Sequence, residues 1–269
     1  MRAIRGAVAR GVLALLFIAG SEWQATAAEE LARAIPAKDL KSGRAFLAPE
    51  TKAQQDDLSV NPGMLWVEQG LKLWNAPEPA TAKACASCHG VPQSLKSVAA
   101  RYPRIDAATG RLLNLELRIN QCRSERQGGA AFAYESEELL ALTALLAHQS
   151  RGEPLHVEID HLARPHLERG EALYQQRQGQ LNLACTHCHD ASWGRTLLAE
   201  KVSQGQPVDW PAYRLEWQSL ASLQRRLRAC YFGVRAEQPA FGSSDLVALE
   251  LYLANRAQGL ATNPPGVRR

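Results

Sequence analysis

Cys185-Thr186-His187-Cys188-His189 is the stretch that decides the fold. It reads C-x-x-C-H, the attachment signature of a c-type haem. Two thiols add to the haem vinyl groups, and the histidine that follows offers a ring nitrogen to the iron. The same signature stands one hundred positions earlier, at Cys85-Ala86-Ser87-Cys88-His89. The remaining cysteines are Cys122 and Cys230. Zinc or a redox dithiol would also use C-x-x-C pairs. The gap between these two pairs is far longer than a zinc ribbon allows, and a histidine follows each. The expected cofactor is therefore two covalently bound haem c, held by Cys85 and Cys88 and by Cys185 and Cys188. His89 and His189 each fill one axial position.

Working outward, the surroundings of the two motifs repeat. Glu68-Gln69-Gly70-Leu71-Lys72-Leu73-Trp74 matches Glu168-Arg169-Gly170-Glu171-Ala172-Leu173-Tyr174, with each glycine fifteen residues before its first haem cysteine. The glycine permits close helix contact, and the leucine and aromatic residue face the haem side. After each motif comes a Leu/Arg-rich helix ending in a lone cysteine, Leu115 to Cys122 and Leu223 to Cys230. Each module closes with a serine-capped, leucine-rich helix that stops at glycine, Ser136 to Gly152 and Ser243 to Gly259. Two copies of about 100 residues are a duplicated domain, not a solenoid. The fold class is all-α, two tandem cytochrome c-like domains with an N-terminal extension. The boundaries are 61–155 and 156–269, and no strand pattern is persuasive. Residues 28–60 read as a loosely structured extension lying along the body or a partner, and the tail Asn263-Pro264-Pro265-Gly266 as irregular.

Arg2, Arg5 and Arg10 precede the apolar run 11–20, and Ala25-Thr26-Ala27 is a small-residue cleavage site. Residues 1–27 read as a secretory signal peptide, too short in its apolar run to span a membrane. The expected address is the periplasm. Removing these residues takes the formal charge from +4 to about +2, with no basic block for nucleic acid.

The second axial ligand is the open question. Methionine is common in electron carriers, but only Met1 and Met64 occur, and Met64 precedes the first motif. Cys122 and Cys230 stand at matching places and are the obvious replacements. A Cys122–Cys230 disulfide and a distal His148 or His187 are the alternatives. His156, His161 and His166 cluster in the linker, where solvation explains them better than a metal. Arg225, Arg226 and Arg228 precede Cys230, and Arg226 shares its helical face. Such cations suit any helix C-terminus, but they also hold a cysteine as thiolate and suit an oxyanion. Arg118 and Arg123 stand similarly near Cys122.

The two C-x-x-C-H motifs, Arg226-Leu227-Arg228-Ala229-Cys230, Val234-Arg235-Ala236-Glu237 and Leu249-Glu250-Leu251-Tyr252-Leu253-Ala254-Asn255-Arg256 make the chain resemble the SoxA family. These are dihaem c-type cytochromes of the SoxAX complex in bacterial thiosulfate oxidation. The resemblance implies His/Cys ligation, His89 with Cys122 and His189 with Cys230. It implies an active-site Cys230 carried as a persulfide and an Arg226 that binds substrate. The implied activity is L-cysteine S-thiosulfotransferase: thiosulfate is joined to a cysteine of SoxY in SoxYZ, and electrons leave to SoxX and another cytochrome c. A dihaem thiosulfate dehydrogenase forming tetrathionate and a plain electron-transfer cytochrome are the competing expectations.

Overall fold

Each half is built on two helices that cross at a glycine. A computed structural model describes residues 35–269. The expected signal peptide and residues 28–34 of the extension lie outside the described residues. In the first half, α2 (Met64–Asn75) crosses α5 (Glu137–Gln149). A Cβ on Gly70 would lie 2.2 Å from the Ala141 carbonyl oxygen, so only glycine lets the backbones meet. In the second half α6 (Arg164–Gln175) crosses α9 (Ser244–Arg256), and a Cβ on Gly170 would lie 2.1 Å from the Ala248 oxygen. The two long helices start as their sequences predict. The Ser136 and Ser243 hydroxyls accept from the amides of Leu139 and Leu246, and acidic residues fill the first turns. Leu139 to Ala147 are buried without a break, as are Leu246 to Leu251. Each fully buried leucine stabilises by about 1.5–3 kcal/mol, so these two helices hold the cores.

Between the crossings lie the short haem-motif helices, α3 (Cys85–His89) and α7 (Cys185–His189), and the cysteine-bearing helices, α4 (Leu115–Cys122) and α8 (Leu223–Gly233). Helices dominate, as expected for this class. The chain nonetheless contains short strands that the sequence reading passed over. β1 (Arg104–Ile105) pairs antiparallel with β2 (Leu112–Leu113), and β5 (Ala212–Arg214) with β6 (Ser219–Ala221). Each hairpin feeds directly into the cysteine-bearing helix through a capping side chain, Asn114 or Ser222. A further hairpin joins β3 (Thr196–Leu197) to β4 (Glu200–Lys201). Strands of two or three residues are too short to show an alternation of apolar and polar positions.

The irregular tail is corrected to an ordered one, and the extension lies along the body. The extension is docked: α1 (Pro49–Asp56) carries Gln55, fully buried, which accepts from the Val267 amide and donates to Asp209. The tail continues from its prolines into β7 (Gly266–Arg268), which pairs parallel with β5. The linker is also tied down. Leu155 and Val157 are buried and alternate with exposed His156 and Glu158, while backbone bonds join Leu155 and Leu260. Residues 35–269 form one compact unit.

Candidate haem sites and the cysteine centre

The two attachment motifs fold alike. Each begins at a buried alanine, Ala84 or Ala184, whose amide donates to the side chain three residues on, Ser87 or His187. His187 therefore caps its own helix, which removes it as a distal ligand. The aromatic residue of each first helix packs behind the motif. Trp74 donates to the Gly90 carbonyl at 2.8 Å, and its ring centroid lies 5.7 Å from that of His89. Tyr174 donates to Asp190 at 2.9 Å, and Arg256 pairs with the same carboxylate while lying 4.4 Å over the Tyr174 ring. This buried Tyr–Asp–Arg cluster accounts for the arginine in the Leu249 to Arg256 signature.

The halves differ in how firmly the histidine is held. His89 is exposed. His189 is partly buried, and its Nδ1 lies 2.7 Å from the Ser203 carbonyl oxygen. A carbonyl can only accept, so Nδ1 carries the proton and Nε2 keeps its lone pair for a metal. Gly205, at φ +72°, presses against the ring: a Cβ there would lie 3.0 Å from His189 Cγ. The loop that supplies Ser203 and Gly205 is fixed in turn by the N-terminal segment. Gln204 donates to the Asp39 carbonyl at 2.9 Å and accepts from the Lys41 amide at 2.7 Å. Phe46 meets Trp193 edge-on at 6.2 Å.

Cys230 gathers the second site together. Its charge acts on both Cys185 and Cys188, and Arg226, His189 and Arg214 act on it in turn. Burial, then Cys230, pushes Cys185 up to about 12. Burial also pushes Cys230 up, but Arg226, His189 and Arg214 outweigh it, and the thiol comes down to about 7. An imidazole with a free Nε2, a thiol beside it and two attachment thiols form a donor set that fits haem c. In the first half Cys122 lies close enough to act on Cys85, and Gln127 Nε2 reaches Cys85 Sγ at 3.7 Å. All six cysteines are free, so Cys122 and Cys230 are not a disulfide.

The arginines sort themselves sharply. Arg118, one turn before Cys122, is committed to Asp106 at 3.2 Å and to Gln121 at 2.9 Å. Arg123 pairs with Glu78 at 2.7 Å. Arg226, one turn before Cys230, has no ion-pair partner among the described residues. Its neighbours lie against aromatic rings. Arg225 stacks on Trp217 at 4.4 Å, and Arg228 stacks on Phe241 at 4.3 Å and bonds Gln238. The sequence reading missed Arg214 altogether. Among the described residues, no three His, Cys, Asp or Glu side chains gather to hold a metal ion. His148 Nδ1 is buried without a partner, and burial lowers its pKa.

These features define a c-type cytochrome with covalently bound haem c. The family model described as SoxA/TsdA, cytochrome c domain, matches residues 69–155. The chain is 41% identical to the L-cysteine S-thiosulfotransferase subunit SoxA of Pseudaminobacter salicylatoxidans, over 85% of this chain and 80% of that protein. It is 38% identical to the subunit of Rhodovulum sulfidophilum, over 86% of this chain and 80% of that protein. A crystal structure of SoxXA from P. pantotrophus superposes with a TM-score of 0.83 at 37% identity, covering 86% of this chain and 87% of that one. The chain belongs to the SoxA family of L-cysteine S-thiosulfotransferase subunits.

Proposed function

We propose that this chain joins thiosulfate to a cysteine of the carrier SoxY within SoxYZ, as an L-cysteine S-thiosulfotransferase working with SoxX. The carrier thiol and thiosulfate give a thiosulfonate-capped cysteine, one proton and two electrons. The observation that carries this reading is the unpaired Arg226 beside the low-lying Cys230 thiol, where the sister half has a neutralised Arg118. A cation held without a partner at a nucleophilic sulfur is apparatus for an anion. An electron carrier has no use for it.

In this reading Arg226 binds the dianion, and Cys230, carried as a persulfide, presents the reacting sulfur. Haem c, held by Cys185 and Cys188 and a second time by Cys85 and Cys88, supplies one-electron acceptors, and the electrons pass to SoxX and on to another cytochrome c. His189 with Cys230, and His89 with Cys122, would be the side chains that hold the two irons. Phe232, two residues on from Cys230, is 74% exposed, an apolar surface beside the cysteine for the carrier to meet. Residues 1–27 direct export to the periplasm. Among the described residues no helix is long and apolar enough to cross a membrane.

The test is thiosulfate-dependent reduction of cytochrome c by protein reconstituted with SoxX, with and without SoxYZ. Reduction is expected only with the carrier. R226Q abolishes it and R118Q leaves it near the wild-type rate. Reduction without SoxYZ would identify a dehydrogenase that forms tetrathionate, and none in either case a plain electron-transfer cytochrome. Mass measurement on the Cys230 peptide should find one extra sulfur.

A further inference from the structure

The hairpin ahead of each cysteine-bearing helix is one structure built twice, and one position in it has changed sign. With Cys122 laid on Cys230, the register holds without a gap back to Tyr102-Pro103 and Trp210-Pro211. The strand pair Ile105↔Leu112 falls on Tyr213↔Leu220. Gly110 and Gln218 share the positive φ of the turn, 68° and 49°. In this register Asp106 of the first half falls on Arg214 of the second. Asp106 is the residue that neutralises Arg118. Arg214 thus takes the place of the sister half's carboxylate, and the charge of Arg226 reaches it.

The surroundings of Arg214 are those of a built site. It ends β5 and is 8% exposed. Its guanidinium lies 4.9 Å over the Trp217 ring, which also carries Arg225 of α8. Nη2 reaches Glu216 at 2.8 Å on the exposed rim. Nε is buried and has no partner among the described residues. Burial, then the charge of Arg226, lowers its pKa, while Glu216 and then Cys230 act the other way. Two like charges and a buried orphan donor persist in one place when an anion completes them.

We propose that Arg214 and Arg226 form a two-guanidinium cradle that grips the sulfonate end of thiosulfate beside the Cys230 sulfur. This inference rests on the proposed function above. Two arginines match the double negative charge, and Nε supplies a fixed donor to a sulfonate oxygen. A haem carboxylate has the same oxyanion chemistry, and the experiment separates the two.

The test uses the holoprotein with SoxX, SoxYZ and a cytochrome c acceptor. R214D copies the sister half and so keeps the hairpin; R214Q removes the charge, and R214K restores it without the fork. R214D and R214Q should raise the KM for thiosulfate at least tenfold with haem reduction potentials unchanged, and R214K should recover most of the loss. An unchanged KM with shifted potentials would assign Arg214 to a haem carboxylate and overturn the proposal. An unchanged KM with unchanged potentials would overturn it as well. If these variants fail to load haem, E216Q carries the test. Freeing Arg214 from its rim partner should lower KM at least twofold, and no change defeats the cradle. Wild-type protein without thiosulfate-dependent turnover would sink the proposed function and the cradle together. Wild-type turnover matched by R214Q would sink the cradle alone.

Discussion

Glu116 on α4 and Glu250 on α9 are buried together at the seam between the halves, 8% and 6% exposed. Asn114 Nδ2 donates to Glu250 at 3.3 Å and to the Tyr134 hydroxyl at 2.7 Å, and among the described residues no cation pairs with either carboxyl. Burial raises Glu116 from 4.5 to about 7, and burial followed by Glu116 raises Glu250. The folded state therefore binds more protons than the unfolded chain between these values. For Glu116 stability falls as pH climbs from about 4.5 through about 7, and the raised Glu250 extends the fall upward. At about 1.36 kcal/mol per pKa unit, the shift of Glu116 amounts to about 3 kcal/mol. Glu116→Gln removes the ionisation, and the duplicated position already holds a glutamine, Gln224. Urea unfolding of the holoprotein at pH 5 and pH 8 reads the effect. Wild type should lose about 2–3 kcal/mol more than E116Q between the two pH values. Parallel losses in the two proteins would refute the reasoning.

Gly170→Ala drives a methyl group to 2.1 Å from the Ala248 oxygen and should cost about 1–3 kcal/mol, lowering the calorimetric Tm by at least about 2 °C. Gly259→Ala, which meets open space, reports the cost of its φ of +83° alone, and an equal loss in both would discount the helix crossing. Gly205→Ala pushes on the His189 ring and should change the visible and EPR signature of the second haem while leaving the first alone; an unaltered spectrum would show that the loop does not position His189. Cys230→Ala should keep both haems attached and lose turnover, and full activity would remove Cys230 from the mechanism.

Much of this was written locally in the chain. The glycine of each crossing, the serine caps and the cysteine at the end of each helix sit at matching places, and each acts over a few residues. The centre at His189 was half legible. Cys230 and Arg226 share a helix face and could be read from spacing. The bond from His189 to Ser203 could not, because it crosses a loop with no periodic signal. Gln55 on Val267 joins parts of the chain that local propensity cannot relate. Arg214 had a signal of another kind, the reversal of Asp106, which shows only when the two halves are laid together through the short hairpin.

The docking of Gln55 also has a temporal side. Gln55 and Val267 are 212 positions apart, and contacts of such separation form late, because loop-closure entropy must be met before they reward the chain. Pairing of β7 with β5 waits on the same event, since β7 lies at residues 266–268. The crossing of α2 on α5, contained within residues 64–149, does not wait. The half that carries Cys230 and Arg214 should therefore be the last to settle, with its strand register fixed only once both ends of residues 35–269 have met.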